Sequence, residues 1–379
     1  MTFQDLNINQ FIVKAIEDKN YTTPTKVQEK AIPALLEGKD LLGCAHTGSG
    51  KTAAFAIPIL QLLSNELHSN ESANTEVSCP IKALILAPTR ELAIQIGESF
   101  ESYAKYLDVK IGVVFGGITP KRHIKILKKE PSILIATPGR LLDLMGKGYA
   151  DLSKVETFVL DEADQMLDKK TKDDVNKIIA KLPKTRQNIL FSATMPSDVV
   201  KLTKSILRNP LKIDDKSETS KGADISQQVC FVEEVDKTSV LLDLMKSLSY
   251  DSVLIFTRTK KKADKVCKAL NIQNIRSKAI HGDKNQSERL KALELFKSKE
   301  VKVLVATDVA ARGIDIRNIS HVINMDIPSV PETYIHRIGR SGRAGMSGTA
   351  ISFCSTEEKD HLKAVEKLQG KTIAIYKRS

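Results

Sequence analysis

Seven short runs rich in Ile, Leu and Val recur along this chain, and each run ends at a cluster of polar or glycine residues. The runs stand in the segments DLLGCAHTGSGKT, ALILAPTREL, SILIATPGR, FVLDEAD, NILFSATMP, VLIFTRTKK and VLVATDVAARG. Amphipathic stretches such as Asp173 to Leu182 and Glu288 to Phe296 separate them. This alternation indicates buried parallel strands joined by crossover helices. It predicts an α/β fold whose polar clusters share the carboxyl edge of a sheet, where ligands bind in such folds.

The alternation fails once. Residues 209–227, NPLKIDDKSETSKGADISQ, contain Pro, Ser, Lys and Asp but little apolar periodicity, which is typical of a linker. A chain of 379 residues also exceeds what one hydrophobic core normally supports. We therefore predict one domain over 1–208, a linker over 209–227 and a second domain over 228–379.

The charge of the chain is unbalanced, because 58 Lys and Arg residues face 46 Asp and Glu residues and give a net charge of +12. Such a charge favours polyanionic partners such as nucleic acid. A solvated lysine-rich surface would explain the same number equally well.

Cysteine usage and the absence of long apolar runs bear on the compartment. The five cysteines contain no CxxC pair, so neither a disulfide framework nor a structural zinc site is indicated. The first residues, MTFQDLNINQF, lack a basic start and an apolar core, and no apolar run approaches membrane-spanning length. We expect a soluble, cytoplasmic protein without a membrane partner.

A glycine-rich segment, AHTGSGKT from Ala45 to Thr52, follows the first apolar run and precedes a helical stretch. A turn of this kind aims backbone N–H groups at phosphate oxygens, and the helix dipole adds positive potential. Lys51 would reach the β and γ phosphates, and the Thr52 hydroxyl would bind Mg²⁺. The alternative is an ordinary strand-to-helix turn with an incidental Lys-Thr pair.

The segment FVLDEAD, Phe158 to Asp164, places carboxylates where an apolar run ends. A phosphate-binding loop needs an acidic residue at a strand end to hold Mg²⁺, usually through water, and Asp161 is the first candidate. Glu162 would orient and deprotonate the attacking water. An acidic cluster that begins a helix is a compatible alternative. Together the two motifs predict nucleoside triphosphate hydrolysis.

A third motif, HRIGRSGR from His336 to Arg343, spaces Arg337, Arg340 and Arg343 evenly. Arginines delivered to a γ phosphate from a separate lobe neutralise the charge of the transition state. A basic surface loop that binds any anion is the simpler interpretation.

These motifs, with others in the same order, resemble the DEAD-box RNA helicase family over almost the full length of the chain. The first half has YTTPTKVQ, AHTGSGKT, PTREL, Gly116-Gly117, TPGR, DEAD and SAT; the second half has IFTRT, HGDKNQSER, ATDVAARGID and HRIGRSGR. The resemblance implies two tandem RecA-like domains, each a mostly parallel sheet flanked by helices, as in a minimal bacterial-type core. Three departures stand out: Asn20 where the family usually has Gly, Ser341 where Thr is frequent, and Met325 where Tyr is usual.

The resemblance also assigns roles in ATP hydrolysis with Mg²⁺. The catalytic residues it implies are Lys51, Asp161, Glu162, Arg340 and Arg343, with Thr52 and Asp161 at the metal. Phe3 would stack on adenine, Gln28 would hydrogen-bond it, and Asp315 would meet the ribose. The remaining residues implied at the nucleotide are Thr47, Gly48, Ser49, Gly50, Lys51, Thr52 and Gly313.

Two further sets follow from the resemblance. Nucleotide state would be linked to closure of the two lobes by Asp164, Ser192, Thr194 and His336. The RNA backbone would contact Pro88, Thr89, Arg90, Gly117, Thr137, Gly139, Arg140, Thr259, Gln286 and Thr307. The implied partners are single-stranded RNA and short RNA duplexes, together with ribosomal or RNA-decay proteins. The protein would act as a monomer.

The motifs imply an ATP-dependent RNA helicase whose RNA-stimulated ATPase locally separates short duplexes or remodels RNA–protein complexes. Two rivals remain open. A DNA-directed translocase shares the phosphate loop, the acidic pair and the arginines. A non-enzymatic, ATP-gated RNA clamp would use the same binding residues without separating strands.

Overall fold

The structure is a computed structural model that describes residues 1–45, 48–71, 80–167, 171–214, 225–311, 319–342 and 348–376. The chain divides into two compact units, Met1–Ser217 and Glu218–Ser379. Each unit contains one seven-stranded sheet in which all the described pairs are parallel. The predicted α/β class is confirmed.

The first unit is built on strands β1 Leu41–Cys44, β2 Ala83–Leu86, β3 Ile111–Val114, β4 Ile133–Ala136, β5 Thr157–Leu160, β6 Gln187–Ser192 and β7 Leu211–Asp214. Their spatial order is β3-β4-β2-β5-β6-β1-β7. Its helices are α1 Gln10–Glu17, α2 Lys26–Leu36, α3 Lys51–Glu71, α4 Arg90–Tyr103, α5 Pro120–Leu127, α6 Pro138–Gly146, α7 Ala163–Met166, α8 Lys172–Ile179 and α9 Ser197–Ile206, with a 3₁₀ turn at Gln4–Leu6.

The second unit repeats the pattern with β8 Ile225–Phe231, β9 Val253–Phe256, β10 Ser277–Ile280, β11 Val303–Ala306, β12 His321–Asn324, β13 Gly348–Cys354 and β14 Ala374–Ile375. The order is β10-β11-β9-β12-β13-β8-β14. Its helices are α10 Lys237–Ser247, α11 Lys260–Ile272, α12 Gln286–Lys297, α13 Asp308–Ala311, α14 Pro331–Ile338 and α15 Lys359–Gln369, with a 3₁₀ turn at Thr356–Glu358.

Burial explains why five strands are continuous apolar runs in the sequence and why two edge strands are not. The fully buried strands β2, β4, β5, β9 and β11 are the continuous apolar runs, because helices cover both faces of the sheet. Strand β3 at one edge alternates half-buried and buried residues, and β10 reads Ser-Lys-Ala-Ile. These weaker patterns are the reason that the edge strands are missing from the seven predicted runs.

Strands occupy both ends of the segment predicted as a linker. Residues 211–214 form β7, which pairs with β1, and residues 225–227 begin β8, which pairs with β13. Residues 215–224 lie outside the described part of the chain. The domain boundaries at 208 and 228 stay a prediction.

Two local features bear on the sequence. Asn20 has a φ of 58°, so it adopts the left-handed conformation in which Asn is a tolerated substitute for Gly. Among the described residues, no helix is both long and apolar enough to cross a membrane.

Gly43 in β1 tests how closely the first core is packed. A methyl group at Gly43 would overlap ring carbons of Phe191, which is fully buried. We expect Gly43→Ala to lower the free energy of unfolding by about 1–3 kcal/mol, because the ring has no room to move aside. A urea unfolding curve measures this change.

Gly146→Ala is the matched control, since no heavy atom lies within 4 Å of a Cβ built there. That variant should keep its stability or gain up to about 1 kcal/mol. Equal destabilisation by the two changes would contradict the packing argument.

Candidate functional site

The phosphate loop of the first unit has the backbone that its glycines predict. Gly48 and Gly50 have φ values of 95° and 86°, and α3 begins directly afterwards at Lys51. A side chain at Gly50 would overlap the Gln28 amide nitrogen, so only glycine fits. The turn presents the N-terminus of a 21-residue helix, which is a ready anion site. The neighbouring loop residue Thr47 lies outside the described residues.

Thr25 and Gln28 fasten this loop to α2. The Thr25 hydroxyl donates to the Ser49 carbonyl at 2.8 Å, and Gln28 Nε2 donates to the Gly50 carbonyl at 3.1 Å. Gln28 Oε1 also accepts from the Thr25 backbone N–H at 2.9 Å. Thr25 was not predicted as a site residue, although Thr-x-x-Gln is a capping-box pattern. An amide can make further hydrogen bonds beyond these two, so its predicted contact with adenine stays compatible with the geometry.

The structure places Phe3, predicted to stack on adenine, in the core of the first unit. Its side chain is only 4% exposed and belongs to the same apolar cluster as Leu6 and Ile16. Stacking requires an accessible ring face. In this conformation the Phe3 ring therefore contributes to packing and offers little surface to a base.

Lys51 and Asp161 form a buried ion pair at the carboxyl edge of the sheet. Lys51 Nζ lies 3.8 Å from Asp161 Oδ1, and both side chains are less than a tenth exposed. Burial raises the pKa of the Asp161 carboxyl, and the positive charge of Lys51 opposes that shift. The pair brings together two sequence-predicted residues from motifs more than a hundred positions apart.

The oxygen donors here fit Mg²⁺. Asp161 offers a carboxylate and Thr52, the second residue of α3, offers a hydroxyl. No group of three His, Cys, Asp or Glu side chains that could hold a metal exists in the described ranges. One or two protein ligands are enough for this ion, since Mg²⁺ usually keeps several waters and binds substrate phosphates.

Glu162 stands next to Asp161 in a left-handed backbone conformation, with φ 54° and ψ 50°. Such strain in a non-glycine residue persists only where the surroundings enforce it, and it clusters at functional sites. Gln165 Nε2 donates to Glu162 Oε2 at 2.7 Å and orients the carboxylate. Gln165 was not predicted; its position three residues after Glu162 is the signal that could have identified it.

Asp164, Ser192 and Thr194 form one hydrogen-bonded cluster. Asp164 Oδ2 accepts from the Thr194 backbone N–H at 2.9 Å and from its hydroxyl at 2.7 Å. The Ser192 hydroxyl donates to the Thr194 carbonyl at 2.6 Å. The structure therefore brings together three of the four residues predicted for coupling, while His336 belongs to α14 of the second unit.

The predicted RNA residues of the first unit also converge. The Arg90 guanidinium packs over Gly117, where any side chain would overlap it, and Gly117 has a φ of 84°. The Gly116 backbone N–H donates to Thr137 Oγ1 at 3.3 Å. Thr89 caps α4 by accepting from the Leu92 N–H at 3.2 Å, with Pro88 directly before it and Gly139 in the first turn of α6.

Arg140 is held by His123, a residue that was not predicted for the site. Its Nη2 donates to the Ile118 carbonyl at 2.9 Å, and its Nη1 lies 2.5 Å from His123 Nδ1. Burial, with the charges of Arg140 and Arg122, lowers the pKa of His123 to about 4. A guanidinium only donates, so the neutral ring is the form that can accept from it. A lone histidine on a basic amphipathic helix carries no sequence signal for this contact.

In the second unit, three predicted RNA residues follow three adjacent strands. Thr259 caps α11 by accepting from the Lys262 N–H at 3.2 Å, after β9. Thr307 follows β11 directly, and Gln286 opens α12 after β10. Since these strands are neighbours in the order β10-β11-β9, the three residues share one stretch of the sheet edge.

A buried ion network fixes the start of this edge. The Arg258 backbone N–H donates to Asp326 Oδ2 at 2.8 Å, and Arg258 Nη2 donates to Glu358 Oε1 at 2.7 Å. The fully buried Lys237 lies 2.6 Å from Glu358 Oε2 and 3.8 Å from Asp326 Oδ1. Burial is the largest single influence and disfavours its charge, but the hydrogen bonds to Glu358 and Glu234 and the nearby negative charges together outweigh burial and raise the pKa of Lys237. Truncating any one partner would leave a buried charge uncompensated.

The arginine motif divides into residues with different environments. Arg337 is 2% exposed and forms a two-point ion pair with Asp308 at 2.5 and 2.7 Å. Its Nη1 also donates to the Asp326 carbonyl at 2.8 Å, so its role in the fold is structural. Arg340 follows α14 and is 6% exposed. Arg343 lies outside the described residues, as do Gly313 and Asp315.

The low pKa of His123 makes stability depend on pH. Between its unfolded value near 6.5 and about 4, the unfolded chain binds a proton that the folded imidazole refuses. The free energy of unfolding of the first unit should therefore fall as pH drops through this window, by at most about 3 kcal/mol from this group. Urea titrations at pH 6.5 and 4.5 measure the fall.

The variant His123→Gln removes the titrating group and keeps a side chain that can accept from Arg140. Its loss of stability between the two pH values should be smaller than that of the wild type. Equal losses would show that His123 titrates normally in the folded protein.

Comparisons with known proteins place this geometry in a family. Residues 25–202 match the model "DEAD/DEAH box helicase", and residues 236–345 match "Helicase conserved C-terminal domain". The chain is 40% identical over 366 residues to the DEAD-box ATP-dependent RNA helicases CshA of Bacillus subtilis and of Geobacillus kaustophilus. The alignments cover 97% of this chain and 72% and 76% of those proteins.

Solved structures agree. Saccharomyces cerevisiae Dbp5 bound to RNA and ADP BeF3 matches with a TM-score of 0.85 at 32% identity, over 99% of this chain and 95% of that chain. The DEAD-box helicase Mss116 bound to ssRNA and UDP-BeF matches with a TM-score of 0.87 at 31% identity, over 100% and 81%. These likenesses confirm the predicted pair of RecA-like domains. With both family models matched and 40% identity along almost its entire length, the chain belongs to the DEAD-box family of ATP-dependent RNA helicases.

Proposed function

We propose that this helicase hydrolyses Mg²⁺-bound ATP at the buried Lys51–Asp161 pair and uses the cycle to separate short RNA duplexes locally or to remodel RNA–protein complexes. The observation that carries the proposal is the continuity of the first unit's sheet edge. The phosphate loop follows β1, Thr194 follows β6, and Asp161 to Asp164 follow β5, and these three strands are neighbours in space. The DEAD segment, which includes Asp164, is thus one strand step from Ser192 and Thr194, with which Asp164 is proposed to act in coupling.

The proposed roles in hydrolysis follow from chemistry at named atoms. Lys51 Nζ binds the β and γ phosphates, and the N–H groups of the glycine-rich turn bind the remaining oxygens. Asp161 and Thr52 hold Mg²⁺, which neutralises phosphate charge when bound. The Glu162 carboxylate, fixed by Gln165, takes a proton from the attacking water.

Further residues complete the proposed nucleotide site. Gln28 reads adenine while it holds the phosphate loop in place. Arg340 and Arg343 supply positive charge to the γ phosphate in the transition state. Thr47, Gly313 and Asp315 keep their sequence-based assignments to phosphate and ribose, whereas stacking of Phe3 on adenine would require its buried ring to leave the core.

The proposed link between nucleotide and RNA is the Asp164 cluster. A change in the position of the DEAD segment would move Thr194 directly, since two hydrogen bonds of 2.7 and 2.9 Å join Asp164 to it. His336 is the proposed contact from the second unit. Coupling requires an element with two states, and the Asp164 cluster is the element that we propose for it.

RNA is proposed to lie along the two strand-edge groups already described. Arg90, Thr137 and Arg140 in the first unit and Thr259, Gln286 and Thr307 in the second offer guanidinium, hydroxyl and amide donors. Such groups contact phosphate and sugar and do not recognise the bases, so RNA binding should be largely independent of sequence. That Dbp5 and Mss116 are described with RNA bound supports this assignment.

We also propose a reducing, cytoplasmic location. The four cysteines within the described residues, Cys44, Cys230, Cys267 and Cys354, are free thiols. Free, mostly buried thiols are usual where disulfides do not form.

RNA stimulation is the first test of this function. The ATPase rate of the purified protein should rise by at least about tenfold with a single-stranded RNA, because RNA favours the conformation in which the catalytic groups meet. Steady-state phosphate release measures the rate. A DNA oligonucleotide of the same sequence is the control, and an equal rate with RNA, with DNA and without nucleic acid would contradict the proposal.

Strand separation is measured under the same conditions, with a short labelled RNA duplex and native gel electrophoresis. ATP-dependent release of the labelled strand supports the helicase. ATP-dependent RNA binding without strand release would favour the clamp.

Glu162→Gln tests the catalytic base. The amide keeps the size of the carboxylate but cannot take the proton, so turnover should fall by at least about 100-fold while ATP and RNA still bind. Phosphate release gives turnover, and fluorescent ATP and RNA analogues give binding.

Glu98→Gln is the matched control, since Glu98 is an exposed glutamate of α4. It should keep wild-type turnover. Normal turnover in Glu162→Gln would remove Glu162 from the role of base.

A further inference from the structure

A groove of about 700 Å³ lies beside strand β3 in the first unit. Within the part of the chain that the structure describes, β3 is the end of its sheet and pairs with β4 alone. Five strand steps separate β3 from β1, which corresponds to ~24 Å at the usual spacing. The groove is therefore distinct from the proposed nucleotide site.

Helices on both faces of the sheet flank the groove. Val113 of β3 points to α4, because a Cβ at Gly97 of α4 would lie 2.6 Å from Val113 Cγ2. Gly112 faces α5, because its Cβ would lie 3.1 Å from Ile126 Cγ2. The lining residues come from both sides and include Glu101 of α4 and Ile126 of α5. The groove thus straddles the open edge of β3.

The floor of the groove is apolar. Five half-buried side chains line it: Ile111, Val113, Phe115, Ile118 and Ile126. Two of them belong to β3 itself, so apolar side chains and the backbone groups of an edge strand occur together. An unpaired edge with an apolar lining is a template for another extended chain.

The rim of the groove is basic. Lys110, Arg122, Lys128 and Lys129 are all exposed, against the two exposed acidic residues Glu101 and Glu130. This local excess of positive charge selects an occupant with negative charge. It also argues against a second copy of this chain, because pairing two β3 edges would bring like charges together.

RNA would match the positive charge of the rim but not the apolar side chains of the floor. Contact with an RNA backbone relies on polar and charged donors, and stacking on bases relies on accessible aromatic rings, whereas the floor offers one phenylalanine among aliphatic side chains. Phe115 already packs its ring at 71° to that of His123, with centroids 5.3 Å apart. Aliphatic walls and an open backbone edge are better matched by a polypeptide.

We propose that the groove beside β3, the β3 groove, binds an extended acidic segment of a partner protein, which adds a strand to the sheet. Alternate apolar side chains of the segment enter the floor, and its carboxylates meet Lys110 and Lys128. Two kinds of contact would act together. Pairing with the β3 backbone gives affinity, and the basic rim gives selectivity for acidic sequences.

The groove also touches the proposed RNA site. Ile118 and His123 line it, and both contact the Arg140 guanidinium. An occupant that fixes these two residues would also fix Arg140. The RNA affinity of a groove variant therefore has to be measured in addition to its affinity for the partner segment.

The probe is a fluorescein-labelled peptide, acetyl-(Glu-Val)₄-Glu-amide, with binding followed by fluorescence anisotropy on the full chain. A peptide with Lys in place of Glu should bind at least about tenfold more weakly because of the basic rim. Replacing a central Val by Pro should also weaken binding, because Pro removes a backbone donor. Absence of binding by the acidic peptide, or equal binding of the Lys peptide, would overturn the proposal.

The variant with Lys110→Glu and Lys128→Glu reverses two rim charges on exposed side chains. It should lose affinity for the acidic peptide by at least about tenfold. The matched control carries Lys246→Glu and Lys268→Glu, two exposed lysines of the second unit, and changes the net charge equally. Equal losses in the two variants would show that only overall charge matters and would overturn the site.

Hydrogen exchange distinguishes strand addition from contact through side chains alone. Amides of residues 111–114 should exchange more slowly with the acidic peptide bound, since the free edge of β3 becomes paired. Unchanged exchange there would overturn strand addition. RNA affinity of the rim variant should equal that of the matched control; a selective loss would instead make the groove a nucleic-acid surface and overturn the peptide proposal.

Discussion

Parallel pairing of every described strand is the constraint on which both units depend. Because the strands run in one direction, all their carboxyl ends meet at one edge of each sheet, and whatever follows a strand is delivered there. The order of strands then decides which segments become neighbours. In the first unit the strands β1, β6 and β5 lie side by side, as do β3, β4 and β2.

This order divides the edge into two halves with different chemistry. The half formed by β5, β6 and β1 carries the glycine-rich turn, the Lys51–Asp161 pair and the Asp164 cluster. The half formed by β3, β4 and β2 carries Arg90, which packs over Gly117, and Arg140, which is held by Ile118 and His123. Strands β2 and β5 are hydrogen-bonded neighbours, so the proposed ATP and RNA groups are joined by a continuous rigid sheet. The second unit repeats this logic, with Thr259, Gln286 and Thr307 along β9, β10 and β11.

Buried charges occur at each sheet edge for which a function is proposed. Lys51 and Asp161 are buried as a pair, and Lys237, Asp326 and Glu358 form a larger buried network under the IFTRT segment. Burying these charges has a desolvation cost, and the nearby opposite charges and hydrogen bonds offset that cost. The result is a set of fixed side chains at the edge, which suits groups that must meet phosphate at short range. Arg337 differs from these residues, because its guanidinium is bound to Asp308 and to the Asp326 carbonyl and therefore stabilises the fold.

The sequence by itself determined the α/β class, seven of the strands and the glycine-dependent turn before α3, because buried parallel strands and glycine-dependent turns leave local signatures. It also determined the family, because several motifs occur in a fixed order. Only the tertiary structure decided that Phe3 packs in the core, that Gln28 holds the Gly50 carbonyl, and that Thr25, His123, Gln165 and Asp308 support the named residues. The edge strands and the β3 groove also came from tertiary structure alone. The physical reason is the same in each case: these contacts join residues through strand order and burial, which local sequence patterns do not encode.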